Sequence, residues 1–402
     1  MFEYFIALLS SDAFLAKLLK DIGLSDALTG ILSSVISFSF LFGLLSIPLA
    51  GKLKKIKKPV IALDTASQLL FALLYTVPFF AMPLKGKTAA VTVIILLAYL
   101  TLYLNSSIAY KWGNSFVSPE KRGDFSATKE MISLVAGVIF TLSMGFITDR
   151  FEEKGNLHGA FIFIAAAMAV ICLFNFVSFS MIAEKPLSES TARQSAGEII
   201  KRTLKNRNCR NAIILITLTE FARYIAIGFM GTYKTIDLGF TVGQIQLMNV
   251  AANLGRFAVS KPFGRYSDRR LYSDGYFLGN ILTLGAYVIG IFTSAKTKWL
   301  MLPFTMLYQM SFAGTNQNTF NMMYCFVDAE YILPAMTVSN SIRGISGFIA
   351  SLIGSSVLSA VQKNPQTGFA GQQLLCVISA LLIGVSLIFN KKVVSKQKQD
   401  KK

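Results

Sequence analysis

The sequence predicts an all-α integral membrane protein with twelve transmembrane helices in two six-helix halves, and three observations predict it. The 402 residues are 53% apolar and 15% charged, with a mean hydropathy of +0.55. Apolar runs long enough to cross a membrane recur along the whole chain, and lysine and arginine concentrate in alternate loops. This composition excludes a soluble enzyme and a disordered chain, since 33 Phe exceeds what a solvated chain carries. Four cysteines without a CxxC pair exclude a disulfide scaffold and a cysteine metal site.

Crossing a hydrocarbon layer of about 30 Å takes roughly 20 apolar residues. The first expected span, 2–19, has the right length but carries Glu3, Asp12 and Lys17. Spans at 31–50, 60–83, 89–110, 131–147 and 159–182 complete one half. The stretch 184–210 is the only long polar interruption, and six spans follow it, at 212–230, 243–263, 277–294, 299–320, 345–361 and 374–390. The expected organisation is an N-terminal bundle over 1–183, a linker over 184–210, a C-terminal bundle over 211–390 and a basic tail over 391–402. Within the linker, Ile200 and Leu204 lie four apart among Lys201, Arg202, Lys205 and Arg207. That pattern suits either a helix on an anionic leaflet or a solvated basic segment.

The formal charge of +18 is explained by topology. With both ends in the cytoplasm, 26 of the 39 Lys and Arg fall in inner segments and 10 in outer loops. This is the positive-inside bias, so the basicity requires no nucleic-acid partner. No basic start and small-residue cleavage site frame the first span, so it is expected to be its own insertion signal. The expected location is the cell membrane, as a multi-pass monomer.

The halves echo each other. Ile22-Gly23-Leu24-Ser25 leads into the second span as Leu238-Gly239-Phe240-Thr241 leads into the eighth. At the far ends of those spans, Pro48-Leu49-Ala50-Gly51 corresponds to Pro262-Phe263-Gly264, each followed by basic residues.

At Gly264-Arg265-Tyr266-Ser267-Asp268-Arg269-Arg270, between the eighth and ninth spans, the chain resembles the signature loop of the major facilitator superfamily. The motif reads G-x-x-x-D-R/K-x-G-R/K-R/K; its second glycine is replaced by Leu271. The matching loop of the first half, Gly51 to Lys58, has lysine at the acid's place. A further G-x-x-x-D-R match, Gly145 to Arg150, falls at the outer end of the fifth span. The resemblance implies two bundles related by pseudo-two-fold symmetry, a cavity lined mainly by spans 1, 4, 7 and 10, and alternating access. It implies a gating role for Gly264, Asp268 and Arg269, and for Gly51 and Lys55 in the lysine loop. A charge-reversed lock of Lys54 or Lys55 against Asp328 or Glu330 is one reading of that loop; topology-setting lysines is the other. The proline-glycine antiporter motif of drug exporters has no counterpart in 131–147.

Charges near the membrane centre cost a few kcal/mol each and are retained mainly where they face water, a partner or a substrate. Glu220 and Arg223 are three apart on the seventh span, near mid-bilayer, and are the first candidates for a substrate or coupling site. A self-compensating ion pair is the structural alternative. Arg256 and Arg343, without an acid nearby in sequence, point to an anionic substrate or to an interface contact with an acid such as Glu130. Asp12 beside Ser10 and Ser11 is the candidate of the first half, and it or Glu220 could carry a coupling proton; sodium is the other candidate ion. Asn105, Gln309 and Asn316 are candidate substrate contacts, with interhelical hydrogen bonding as the alternative. The single His158 is at an outer span end.

The expected function is secondary active transport of a small polar, anionic solute, without a cofactor. Export of amphipathic compounds and a non-transporting sensor on the same fold are the alternatives. No nucleotide loop, HExxH or catalytic triad supports an enzyme.

Overall fold

The computed structural model describes residues 2–53, 55–114, 116, 122–184, 196–327, 332–363 and 371–397. Every regular element among them is helical. The chain forms two compact units, Met1–Ala196 with Thr241–Gln246, and Gly197–Phe240 with Leu247–Lys402. Seven segments are long and apolar enough to cross a membrane, and they coincide with the expected second, fourth, sixth, seventh, ninth, eleventh and twelfth spans. Helices also lie over the other five expected spans.

In the first unit the opening span is two helices, α1 (Phe2–Leu9) and α2 (Asp12–Asp21), which corrects the continuous span expected over 2–19. The serines cause the break. Ser10 Oγ donates to the Ile6 carbonyl at 2.9 Å and Ser11 Oγ to that of Leu8 at 3.2 Å, competing with the backbone ladder. Asp12 has a left-handed φ of 47°, a conformation costly for a residue with a side chain. The second span is likewise segmented, into α3 (Asp26–Ser33), α4 (Val35–Ser39) and α5 (Phe42–Lys52). Ser33, Ser34 and Ser39 each donate to a carbonyl one turn earlier.

The helices α6 (Lys57–Leu74), α7 (Leu84–Asn114), α8 (Arg122–Glu153) and α9 (Leu157–Met181) complete this unit. α6 packs against both α7 and α9, and α1 against α8 and α9. At the end of α8, the Asp149 carboxylate accepts the backbone N–H of Val242 at 2.9 Å and of Gly243 at 2.8 Å. These are orphan donors of the first turn of α13 (Val242–Arg269), and a carboxylate there also meets the positive end of the helix dipole. A Cβ on Gly145 would lie 3.2 Å from Gly243 Cα, so the approach depends on glycine. The stray Gly145–Arg150 match thus serves a helix cap.

The second unit holds α10 (Ala196–Lys205), α11 (Arg207–Ile227), α12 (Met230–Thr232), most of α13, α14 (Tyr272–Ile291), α15 (Met301–Phe326), α16 (Ile332–Lys363) and α17 (Gly371–Phe389). α10 is the linker helix, and its Leu204 packs on the core around Cys209, Met322 and Met323. α14 lies against α15 and α17, and α11 against α16 and α17. Glycine sets the first of these spacings: a Cβ on Gly279 would lie 2.9 Å from the Ser311 carbonyl oxygen, and one on Gly314 2.8 Å from Gly279 Cα. On α16, Ser351 Oγ donates to the Tyr224 carbonyl of α11 at 3.2 Å, and Gly354 admits the Ile225 carbonyl. Close approach through small residues is how helices associate where lipid supplies no hydrophobic drive.

Asp149→Ala removes the acceptor of two first-turn N–H groups of α13, leaving the Thr241–Gln244 pair in place, and is expected to cost about 1 kcal/mol, a modest fall in the unfolding midpoint in detergent. Gly279→Val forces a backbone apart and is expected to abolish monodisperse elution, whereas Gly384→Ala, in open space, leaves it unchanged.

Candidate functional site

The seventh span delivers Glu220 and Arg223 from one face of α11. Arg223 is 1% exposed, the largest fully buried side chain among the described residues. Its Nη2 donates to Thr283 Oγ1 at 3.0 Å, Ser311 Oγ at 3.1 Å and Thr315 Oγ1 at 3.2 Å. Its Nη1 reaches Glu220 Oε1 at 3.4 Å, and its guanidinium stands 4.5 Å from the Phe312 ring centroid. The three hydroxyls converge because α14 and α15 meet through their glycines; Ser311, Phe312 and Thr315 form one stripe of α15 at spacings of one, three and four.

Arg343 of α16 completes the cluster. Its Nη2 donates to the same Glu220 Oε1 at 3.0 Å and its Nη1 to Asn340 Oδ1 at 3.1 Å. Its buried Nε has no hydrogen-bond partner, while its side chain as a whole is 19% exposed. The acid thus bridges two arginines, and Arg343 takes the shorter bond because hydroxyls and a ring already hold Arg223. Arg256, half-buried on α13, stands 5.7 Å from the Phe312 centroid, the ring that also faces Arg223. The second unit thus groups three guanidiniums with one carboxylate.

Other candidates lie elsewhere. On α15 Gln309 is half-buried and Asn316 exposed. Asn105, 4% exposed on α7, belongs to the first unit, where its Oδ1 is buried without a partner. Asp12 is half-buried at the start of α2. Gly264 faces the Gln317 amide from α13, and Asp268 and Arg269 are exposed at that helix's end. Gly51 lies in α5 and Lys55 is exposed between α5 and α6. Lys54, Asp328, Glu330 and the Glu130 side chain lie outside the described residues. Among the described residues no group of His, Cys, Asp or Glu could hold a metal ion.

Two buried charges escaped the sequence reading. Lys234, 6% exposed, follows the seventh span. Asp64, 1% exposed on α6, accepts hydrogen bonds at Oδ2 from Gln68 Nε2 at 2.8 Å and from Asn175 Nδ2 of α9. A lone acid seven residues into a span that opens on two lysines was the available signal.

Membrane-length helices in two units, with a buried charge cluster inside one of them, define a polytopic membrane protein built around a polar interior. Residues 2–351 match the family model described as Major Facilitator Superfamily, and the chain belongs to that superfamily of membrane transporters. Solved structures share the fold. The nucleoside transporter NupG aligns at TM-score 0.71 and 14% identity, over 99% of this chain and 97% of that one. A D-xylose-proton symporter aligns at 0.72 and 14%, over 99% and 96%. A POT family transporter in complex with 5-aminolevulinic acid aligns at 0.69 and 12%, over 98% and 95%. No curated protein matches the chain in sequence.

Removing one partner of a buried pair costs about 3–5 kcal/mol because the other charge stays behind. Glu220→Gln is therefore expected to lower the unfolding midpoint sharply in detergent, and Glu220→Gln with Arg343→Gln to recover part of the loss.

Proposed function

We propose that the protein moves a small anionic solute across the cell membrane by alternating access, driven by a proton gradient. The observation that carries this reading is the state of Arg343. Its Nη1 and Nη2 are held by Asn340 and Glu220 on a side chain that is partly open, so a carboxylate or phosphate oxygen that reaches the guanidinium can exchange with Glu220. Arg256 adds a second cation beyond Phe312. Arg223, fully buried and held at Nη2 by three hydroxyls, keeps the cluster's shape and does not touch the solute.

In this reading Glu220 is the element that answers solute binding. An anion arriving at Arg343 competes with Glu220 for the guanidinium, which leaves the acid leaning on Arg223 alone. Asp268 and Arg269 act at the cytoplasmic gate, as the superfamily resemblance suggests. The coupled reading draws support from the buried carboxyls and from the symporter likeness in fold.

The test is uptake of a mixed pool of organic anions, sugars, amino acids and cationic drugs into proteoliposomes, with and without an inward proton gradient. Uptake of an anion is expected, with Arg343→Ala raising its KM about 10- to 100-fold, the loss of one charge-assisted bond of about 1.5–3 kcal/mol. Arg343→Lys should restore part of it. Flux confined to cationic drugs would replace this reading with amphipathic export, and solute binding without any flux would replace it with a sensor.

A further inference from the structure

The two halves repeat one polar tie, with one chemical difference. In the second unit, Asn280 of α14 donates through Nδ2 to Thr219 Oγ1 of α11 at 3.0 Å and to Ser386 Oγ of α17 at 3.2 Å, and those two hydroxyls bond each other at 2.8 Å. The tie joins the first, third and sixth spans of that half. In the first unit the third span is α6 and the sixth is α9, and Asp64 joins them through Asn175. Asp64 lies seven residues into α6 and Asn280 eight into α14. A neutral amide therefore suffices for the tie in one half, while the other half keeps a carboxyl.

An ionised carboxylate at such a site is costly unless paired, and the hydrogen-bond donors to Asp64 are the Gln68 and Asn175 amides. Cys172 of α9 donates nearby to the Thr65 carbonyl, and α7 meets α6 through the Ala98 carbonyl, which Ser67 reaches, and the Tyr99 ring. From the start of α1, Glu3 acts on Asp64 electrostatically. Gln68 is 1% exposed, and its Oε1 is buried without a partner, an acceptor beside the carboxyl that a carboxylate cannot use. A protonated Asp64 can, because it has an O–H to donate.

We propose that Asp64 is a proton-carrying carboxyl of the transport cycle, set off from the arginine cluster. Protonation forms an O–H bond on the Asp64 carboxylate and supplies the donor that Gln68 Oε1 lacks; release breaks that bond and returns the amide-held carboxylate. The change reaches the broken first span along α6. Tyr75 stands eleven residues beyond Asp64, about 20° from the same face, and its hydroxyl donates to the Leu9 carbonyl at the α1–α2 break.

This inference rests on the proton-coupled reading above, and the experiment separates the two. Purified wild type, Asp64→Asn and Asp64→Glu are reconstituted and assayed for anion exchange at equal pH and for accumulation under a gradient of one pH unit. Asp64→Asn copies Asn280, so it should fold and exchange at the wild-type rate while losing the roughly tenfold accumulation that such a gradient sustains for one proton. Asp64→Glu should recover part of it. Accumulation by Asp64→Asn equal to wild type overturns the assignment of Asp64 alone. Wild type that exchanges the anion but ignores the gradient overturns the coupled reading and this inference with it. Asp64→Asn that does not elute as a monodisperse protein overturns the inference as well, since it shows the carboxyl to be needed for the tie.

Discussion

The contact between Arg223 and the hydroxyls of Thr283, Ser311 and Thr315 is the constraint from which the second unit is built. A guanidinium that is 1% exposed must have its donors answered, or the unit would bear the full cost of a buried charge. Answering them requires α14 and α15 at backbone contact, which is why glycine stands at 275, 279 and 314. It also fixes Phe312, whose ring both Arg223 and Arg256 approach. With Arg223 held, Glu220 bridges toward α16, and Arg343 is the partly open cation of that bridge. Local glycine spacing thus sets the electrostatics of a site on other helices.

The first unit is organised differently. Its opening spans are segmented by serines that bond back to their own helix, and the resulting break is held by the Tyr75 hydroxyl. Where the second unit uses a rigid charged cluster, the first uses interrupted helices and one buried acid.

Hydropathy and charge bias made the fold legible, because a bilayer imposes length and topology on any sequence that spans it. The first span was legible in extent but not in form: a hydropathy window averages over Ser10 and Ser11, and nothing local reports that their hydroxyls turn inward. In the site, Glu220, Arg223, Arg256 and Arg343 were legible as charges out of place. Their arrangement was not, since which arginine takes the shorter bond depends on hydroxyls of α14 and α15 that look like ordinary helix residues in sequence. Asp64 was hidden by its setting, a single acid in an apolar run near two lysines.

Gly23 and Gly239 both take a positive φ, 94° and 65°, at the same turn of the two halves. A left-handed turn is open to glycine and costly for a residue with a side chain, so each half keeps a glycine at the entry to its second span. The repeat extends to the tie, where Asp64 and Asn280 hold like places in α6 and α14 and differ by one ionisable group.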